Sequence, residues 1–574
     1  KAEHDNRSVR VSNSDWPAEM RLTTCPREEK VPMYSPTLLR SRVLGFIAVT
    51  LCAAGSMSSV AAEDTAPPRG IIHEAEFQRL WAKNGDRWAA EDKEIEAKLA
   101  ELEKKHGQKP NIIHILWDDM RYGAVGHRLL TDISGYEAPN LEQMAREGAS
   151  LTRMYTEPSC TPTRVAAATG RLAVRSGMIF PIFPIHRMGL PGSEVTIAEV
   201  VDDTYHTGFF EKAHFGDQEE GYVTNQGWDE AIFSLYNQFA GQMFTSDAEN
   251  TGFSVAYSPD GYDKKYFMDD SFRPLEWMWT VEGTEGGEVR EFATPTTFAE
   301  YQDANARMWE QTKAFVRKHA DSDKPFMLQW WPNLYEIADQ DAMRPFTTQH
   351  ATASAESVKR MDAKIGELFA LLEELGIADN TLVIAMADNG PMEPVHPETG
   401  QNGFFRGGKN DVTEGGIRVP AFIKWPGVIE PGSVIGDTIH VSDLFNTFAR
   451  IAGRYDQIPT DRVIDGIDQT ALLMKGDTHG RRDYVFTYKG PQLGSVVKQQ
   501  FKRHFALSGG GLAGAEFFDL YKDPREEHPM MAEFLWTWAQ FDHLVARHKA
   551  QIEEYPHTPV ATGEPYTGVT RLQR

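Results

Sequence analysis

The sequence is poor in cysteine and in positive charge. Its 574 residues include three cysteines, Cys25, Cys52 and Cys160. The first two fall in an N-terminal segment that we expect to be removed, so the mature chain would have no internal disulfide to form. Lysine and arginine number 59 against 83 aspartate and glutamate residues, for a formal net charge of −24. This balance argues against a broad nucleic-acid-binding surface, but a small anion could still bind at a locally cationic site.

The N-terminal part also lacks an apolar run long enough for a comfortable membrane span. Arg40 and Arg42 precede the apolar residues 43–55, and small residues follow. This order is typical of a secretory signal peptide, which we place at residues 33–62, with cleavage near Ala61 or Ala62. We therefore expect a periplasmic or secreted protein without stable membrane insertion. A short N-terminal anchor is the alternative.

Residues 91–110 have the spacing of an amphipathic helix. Ile95, Leu99 and Leu102 recur at helical intervals among charged residues, and Gly107 provides a stop. We predict one helix packed on the outside of the core. A solvated spacer helix is the alternative.

The chain then alternates between apolar runs of strand length and helical stretches. Residues 111–117 form the first such run, and similar runs occur at 207–216, 324–332 and 381–391. This alternation predicts an α/β fold with a large, mostly parallel central sheet flanked by helices. Beyond residue 462, short strand patterns and a last helix predict a smaller α+β domain. Ligands of such sheets bind beyond the carboxyl ends of the strands.

Oxygen-bearing side chains follow two of the predicted strands. Asp118 and Asp119 come directly after the first run, and Asp388 and Asn389 follow the run that begins at Thr381. Adjacent carboxylates repel each other unless a cation or proton intervenes. Four oxygen ligands favour calcium or magnesium over zinc. The alternative is that each pair is an ordinary turn sequence.

A second group of candidates is cationic and contains Arg164, Lys212, His214 and Lys409. Such side chains around a metal would neutralise a tetrahedral oxyanion. Lys212 and His214 are two residues apart, so an extended chain would point both to the same side. Taken singly, each lysine could be a surface charge and His214 a structural histidine.

Cys160 stands where a helix is expected to begin. Pro162 suits a first helical turn, and Gly170 marks the end of the helix. A helix N-terminus attracts anions and lowers the pKa of a thiol. Cys160 is therefore a candidate nucleophile beside an anion and metal site, unless it is an inert buried cysteine.

The motif CTPTR at residues 160–164 resembles the CxPxR signature of type I sulfatases, members of the alkaline phosphatase superfamily. Further blocks between residues 111 and 528 are similar to the family in order and spacing, and these read NIIHILWDDMRYG, EKAHFGD, ADNGP, FRGGKNDVTEGGIRVPAFIKWPG and FFDLYKDPREEH. The resemblance implies an alkaline phosphatase-like fold. The expected domains are an extension with a signal peptide (1–62), a helical segment (63–109), a sulfatase catalytic domain (110–461) and a smaller C-terminal domain (462–574).

In this family a maturation enzyme oxidises the motif cysteine to formylglycine. The resemblance implies that a calcium ion, with magnesium as the alternative, is held by the oxidised Cys160 and four further ligands, Asp118, Asp119, Asp388 and Asn389. It also implies an attack of the hydrated aldehyde on sulfur, release of an alcohol or phenol, and expulsion of sulfate as the aldehyde re-forms.

Four cationic side chains take roles by the same resemblance. Arg164 would hold the formylglycine, Lys212 and Lys409 would contact the sulfate, and His214 would take a proton from the hydrated aldehyde. The implied partners are the maturation enzyme and a small sulfated substrate, either an aryl or a sugar sulfate.

One departure concerns the histidine that protonates the leaving group in sulfatases. The matching position here is Asn333 or Glu336, and His350 or His396 could reach in from a loop. Without such an acid the enzyme would favour phenolic sulfates. We predict an exported sulfatase, an arylsulfatase in particular. The alternatives are a phosphonate or phosphate ester hydrolase on the same scaffold and a catalytically impaired binding protein.

Overall fold

The computed structural model describes residues 70–183, 186–237, 280–293, 298–333, 353–392, 403–505, 516–530 and 535–563. The predicted signal peptide lies outside the described residues. So do five residues singled out from the sequence, namely Cys25, Cys52, Glu336, His350 and His396.

Ten strands build the main sheet. They are β1 (Asn111–Trp117), β2 (Ala149–Leu151), β3 (His206–Lys212), β4 (Glu230–Ser234), β5 (Thr280–Thr284), β6 (Arg290–Ala293), β7 (Phe326–Trp331), β8 (Thr381–Ala387), β9 (Ala421–Lys424) and β10 (Ser433–Ile435). Their order across the sheet is β10-β2-β9-β8-β1-β7-β3-β4-β5-β6. The central strands β8, β1, β7, β3 and β4 are parallel, and antiparallel strands adjoin them on both sides. The predicted α/β class with a mostly parallel sheet is confirmed.

The register of the central strands brings their carboxyl ends to one edge. Trp117 at the end of β1 pairs with Ala387 at the end of β8, and Trp331 at the end of β7 pairs with Glu211 of β3. Every residue of β1 and β8 is buried, as expected for parallel strands covered on both faces. The residues that follow these strands therefore meet at a single edge.

Eleven α-helices occur among the described residues. They are α1 (Ala75–His106), α2 (Arg128–Ser134), α3 (Pro139–Glu147), α4 (Cys160–Thr169), α5 (Ile197–Val201), α6 (Phe298–His319), α7 (Ala353–Glu374), α8 (Glu414–Ile417), α9 (Asp443–Ile451), α10 (Thr470–Lys475) and α11 (Leu535–Glu554). The main core joins side chains of the sheet to buried side chains of α3, α4, α6, α7 and α9. No helix in the described ranges is both long and apolar enough to cross a membrane.

Helix α1 confirms the amphipathic helix predicted at residues 91–110 and begins much earlier. It ends at Gly107, whose φ of 79° is left-handed and suits glycine. Its added N-terminal part carries Phe77, Trp81 and Trp88, which pack in a second hydrophobic cluster. The early start has a local cause, because the Glu74 side chain accepts a hydrogen bond from the backbone N–H of Glu76.

A smaller antiparallel sheet follows the main sheet in the chain. It contains β11 (Tyr484–Lys489), β12 (Gln492–Lys498), β13 (Phe501–His504) and β14 (Glu516–Asp519), in that order. Aromatic side chains of this sheet share the second hydrophobic cluster with α1 and α11. The α+β character predicted for the C-terminal region is confirmed. The exact domain limits remain a prediction.

Candidate functional site

The structure brings together the four oxygen-bearing residues predicted as metal ligands. Asp118 and Asp119 follow β1, and Asp388 and Asn389 follow β8. The backbone N–H of Asp119 donates to Asp388 Oδ1 at 3.1 Å, and Asn389 Nδ2 donates to Asp119 Oδ1 at 2.6 Å. Asp119 has a φ of 48°, a left-handed conformation that aspartate tolerates better than most residues. That turn folds the second carboxylate back toward β8.

Helix α4 supplies the link between these carboxylates and Cys160. Cys160 is its first residue and a buried free thiol. One turn later, Arg164 Nη2 donates to Asp118 Oδ1 at 2.7 Å and to Asp388 Oδ2 at 3.0 Å. Arg164 Nη1 donates to the carbonyl oxygen of Lys212 at 2.8 Å. Arg164 thus fixes α4 to the ends of three strands of the main sheet.

The two predicted lysines reach the same carboxylates from other segments. Lys212 ends β3, and its Nζ lies 2.5 Å from Asp118 Oδ1. Lys409 lies near the start of the described segment 403–505. Its Nζ lies 2.7 Å from Asp119 Oδ1. Both lysines are buried. Each lysine stands next to a predicted metal ligand, where it could also contact an anion bound to that metal.

The pKa values of the two central carboxylates, Asp118 and Asp388, are shifted in opposite directions by burial and by the neighbouring charges. Burial raises the pKa of Asp118, but the charges of Lys212 and Arg164 outweigh it and leave the pKa below its ordinary value. For Asp388, burial and the charge of Asp118 raise the pKa well above its ordinary value. Two buried carboxylates this close are hard to ionise together without further positive charge.

His214 is held as a neutral imidazole. It follows β3 with a left-handed φ of 59°. Its Nε2 lies 2.8 Å from the carbonyl oxygen of Ile182, which assigns the ring proton to Nε2 because a carbonyl can only accept. Its buried Nδ1 has no hydrogen-bond partner within the described residues. Burial and the nearby Lys212 lower its pKa well below 6.5, so the imidazole stays neutral with a lone pair on Nδ1.

The donor set fits a hard divalent cation. The buried Oδ1 of Asn389 lacks a hydrogen-bond partner among the residues described, which is the state expected of a carbonyl oxygen reserved for a ligand. Once a cation lets all three ionise, Asp118, Asp119 and Asp388 would carry three negative charges, which match the three positive charges of Arg164, Lys212 and Lys409. Because these formal charges cancel, the site suits a divalent cation together with an anion.

A second acidic group lies elsewhere and was missed from the sequence. Side-chain oxygens of Asp202, Asp229 and Glu285 lie within 4.8 Å of one another and could hold a metal ion. Asp202 and Glu285 are exposed, and exposed acidic groups gather in many proteins without an ion. These residues come from loops with no shared pattern, so nothing in the sequence joins them.

Glu211 was also missed, although it directly precedes Lys212. It is buried and has a left-handed φ of 81°. Its Oε1 accepts a hydrogen bond from Trp330 Nε1 at 2.8 Å, and its Oε2 accepts one from the backbone N–H of Asn333 at 3.2 Å. Glu211 thereby ties the end of β3 to the end of β7. Its position inside an apolar run was the available signal.

The structure places one of the four candidates for the leaving-group acid. Asn333 is buried just beyond β7, and a carboxamide does not titrate as a general acid. The other three candidates, Glu336, His350 and His396, lie outside the described residues.

Comparison with known proteins gives consistent matches. A family model described as Sulfatase matches residues 110–454. Steryl-sulfatase of Rattus norvegicus is 28% identical over 540 residues, which cover 79% of this chain and 91% of the relative. Arylsulfatase A of Homo sapiens is 31% identical over 512 residues, with the same shares of 79% and 91%. The crystal structure of the PsFucS1 sulfatase from Pseudoalteromonas sp. aligns with a TM-score of 0.71 at 27% identity, covering 82% of this chain and 96% of that one.

Proposed function

The chain belongs to the sulfatase family, and from this premise we propose that it uses Cys160, oxidised to formylglycine, as the source of its nucleophile. As a sulfatase it hydrolyses sulfate esters. Members of the family generally use a metal ion together with the formylglycine. The proposal adds the identity of the modified residue, the metal ligands and the class of ester.

One observation carries the assignment of Cys160. Arg164 lies one helical turn after Cys160 and donates to both Asp118 and Asp388. The first turn of α4 is therefore bound to the oxygen ligands by two buried ion pairs. A helix N-terminus also attracts anions, so a nucleophile at Cys160 would stand close to an anion bound beside these ligands.

The metal we propose is calcium, held by Asp118, Asp119, Asp388, Asn389 and the oxidised Cys160. When bound, calcium would polarise the sulfate group, and the hydrated formylglycine would supply the attacking oxygen. Oxygen ligands favour calcium or magnesium, and a site with this many protein oxygen ligands suits calcium better because magnesium usually keeps several of its waters.

The remaining steps of the reaction are assigned to two lysines, a histidine and an arginine of the site. Lys212 and Lys409 bind the sulfate oxygens and stabilise the negative charge that grows on them. His214 accepts the proton of the hydrate on Nδ1, because Nε2 is engaged by the Ile182 carbonyl. Arg164 orients the catalytic residue through the carboxylates it holds.

We propose an aryl sulfate as the preferred substrate. Asn333 and Glu336 are the two candidates for the position of the leaving-group acid, and Asn333, the one that the structure describes, does not supply a proton. Phenolic leaving groups depart with little protonation, so they tolerate this change better than sugar hydroxyls do. We also propose that the predicted signal peptide directs export of the protein. A maturation enzyme would recognise residues 160–164 and oxidise Cys160.

Two measurements test the proposed function, namely the mass of the peptide that contains Cys160 and the turnover of a matched sulfate and phosphate ester. We expect the tryptic peptide with Cys160 to carry an aldehyde in enzyme that is produced with a maturation enzyme. We also expect 4-nitrophenyl sulfate to be turned over much faster than 4-nitrophenyl phosphate. An unmodified thiol in active enzyme would disprove the role of Cys160, and faster phosphate turnover would favour the phosphoester alternative.

A further inference from the structure

A buried group of charged side chains joins the smaller sheet to the region of Lys409. We call it the Lys502 cluster, and it consists of Lys502, His504, Glu414, Glu526 and Tyr155. Lys502 Nζ lies 3.0 Å from Glu414 Oε1 and 3.0 Å from Glu526 Oε1. His504 Nε2 lies 2.6 Å from the same Glu526 oxygen. The Tyr155 hydroxyl donates to Glu414 Oε2 at 2.9 Å.

Burying the charged groups of the Lys502 cluster costs desolvation free energy. Lys502 and Glu414 have no exposed surface, and Glu526 is almost fully buried. Burial raises the pKa of Glu526, but Lys502 and His504 outweigh it and hold the pKa at about 2. Such buried ion pairs contribute little net stability over apolar residues of similar size, whereas removing one partner is strongly destabilising. A specific orienting role would explain why the chain uses charges here.

Glu414 is the first residue of α8, and the two glycines after it touch the metal-ligand turn. The backbone N–H of Gly390, next to Asn389, donates to the carbonyl oxygen of Gly416 at 3.0 Å. A Cβ on Gly390 would lie 1.8 Å from the carbonyl oxygen of Gly415. The two backbones are thus in direct contact, and a shift of α8 must displace the turn that holds Asn389.

The same segment also fixes Lys409. The backbone N–H of Lys409 donates to the carbonyl oxygen of Pro391 at 2.8 Å, and that of Gly415 donates to Arg406 at 2.9 Å. A Cβ on Gly415 would lie 2.3 Å from the Arg406 carbonyl oxygen. Lys409 therefore lies in a short loop with α8 packed directly against its base.

We propose that Lys502 is a positioning residue of the sulfatase site, which sets α8 through Glu414 and thereby places Asn389 and Lys409. The inference rests on the proposed function of those two residues as metal ligand and sulfate contact. In this arrangement the smaller sheet supports the catalytic apparatus, although its strands contribute none of the proposed metal ligands or sulfate contacts.

The test compares Lys502→Met with a matched control, Arg482→Met. Arg482 forms a buried ion pair with Asp443 of α9 and lies just before β11 of the smaller sheet. Its hydrogen bonds go to Asp443 and to the carbonyl oxygens of Tyr484 and Asp465, which lie outside α8. Both variants lose one partner of a buried pair. Full-length proteins would be compared under conditions where both are folded, by amide hydrogen exchange, by calorimetric calcium binding to chelator-treated protein, and by turnover of 4-nitrophenyl sulfate.

We expect Lys502→Met to speed amide exchange in peptides that cover residues 389–391 and 406–417, whereas Arg482→Met leaves these peptides unchanged. We also expect Lys502→Met to weaken calcium binding by about 10-fold to 100-fold, as loss of a supporting contact does at metal sites. Equal exchange and equal calcium affinity in the two variants would overturn the inference. If wild-type protein fails to turn over the sulfate ester, the proposed function fails, while the exchange comparison still decides the role of Lys502.

Discussion

Lys212 Nζ lies 2.5 Å from Asp118 Oδ1, and both side chains are fully buried. Arg164 Nη2 lies 2.7 Å from that same oxygen. One carboxylate oxygen thus accepts two cationic donors that come from different parts of the chain. Because Asp118 is a proposed metal ligand and Lys212 a proposed sulfate contact, this pair connects metal binding with anion binding.

Replacing Lys212 with methionine should weaken anion binding and slow turnover. Asp118 would lose its contact with Lys212 and keep that with Arg164, and the sulfate oxygens would lose one cation. We expect kcat/KM for an aryl sulfate to fall by roughly 100-fold to 1,000-fold, the usual loss when one charge-stabilising donor is removed. The inhibition constant of inorganic sulfate should rise about tenfold or more.

Lys313→Met provides the control for that measurement. Lys313 lies on α6, pairs with Glu310 and Glu367, and is partly buried. It should leave the sulfate inhibition constant unchanged. Equal inhibition of wild type and Lys212→Met would show that Lys212 serves only the structure.

Metal binding distinguishes the two acidic groups of the chain. We expect calcium to raise the melting temperature of chelator-treated wild-type protein, because an ion that binds the folded state alone stabilises it. Asp119→Asn should remove most of this increase, whereas Asp202→Asn should keep it. Differential scanning calorimetry over a calcium titration measures both. Loss of the increase in Asp202→Asn alone would move the metal to the group with Asp229 and Glu285.

Glu157 gives the folded state an unusual dependence on pH. Burial, with the charge of Asp465, raises the pKa of Glu157 to about 8. The folded state therefore keeps a proton that the unfolded chain releases near pH 4.5. Its stabilising effect is complete below pH 4.5 and is lost as the pH rises toward 8.

Glu157→Gln should remove this dependence, because the amide resembles the protonated acid and can still accept from the backbone N–H of Ala173. We expect its free energy of unfolding, relative to wild type, to rise by roughly 2–3 kcal/mol between pH 5.5 and 8, since each unmatched proton contributes up to about 1.4 kcal/mol per pH unit. Urea denaturation at the two pH values gives this difference. Parallel pH curves for the two proteins would refute the assignment.

Much of the fold could be predicted because its patterns are local. Each signal lies within about ten residues of the element that it predicts. The apolar runs predict β1 and β8, and the glycine after α4 predicts the end of that helix. The sequence pattern predicts a later start for α1, because Trp81 and Trp88 pack in a hydrophobic cluster with residues of the smaller sheet and α11 that lie hundreds of residues away in sequence. A helical face that packs on distant residues has no local partner in the sequence to reveal it.

The same distinction holds within the site. The proposed metal ligands follow strands, so topology alone predicts that Asp118 and Asp388 lie at one edge. Glu211 and Lys502 could not be found that way. The first depends on a left-handed backbone inside a strand, and the second depends on a contact between the smaller sheet and α8.

Glu211 allows a test of backbone strain next to the site. Its φ of 81° is unfavourable for glutamate and acceptable for glycine. Glu211→Ala and Glu211→Gly both lose the acceptors of Trp330 Nε1 and the Asn333 N–H, so both should be less stable than wild type. Only glycine relieves the strain, and we expect it to be more stable than the alanine variant by about 1 kcal/mol in urea denaturation. Thr207, also in β3 and without a positive φ, should show the opposite order because glycine weakens an ordinary strand. The same order at both positions would mean that the backbone at Glu211 is not strained.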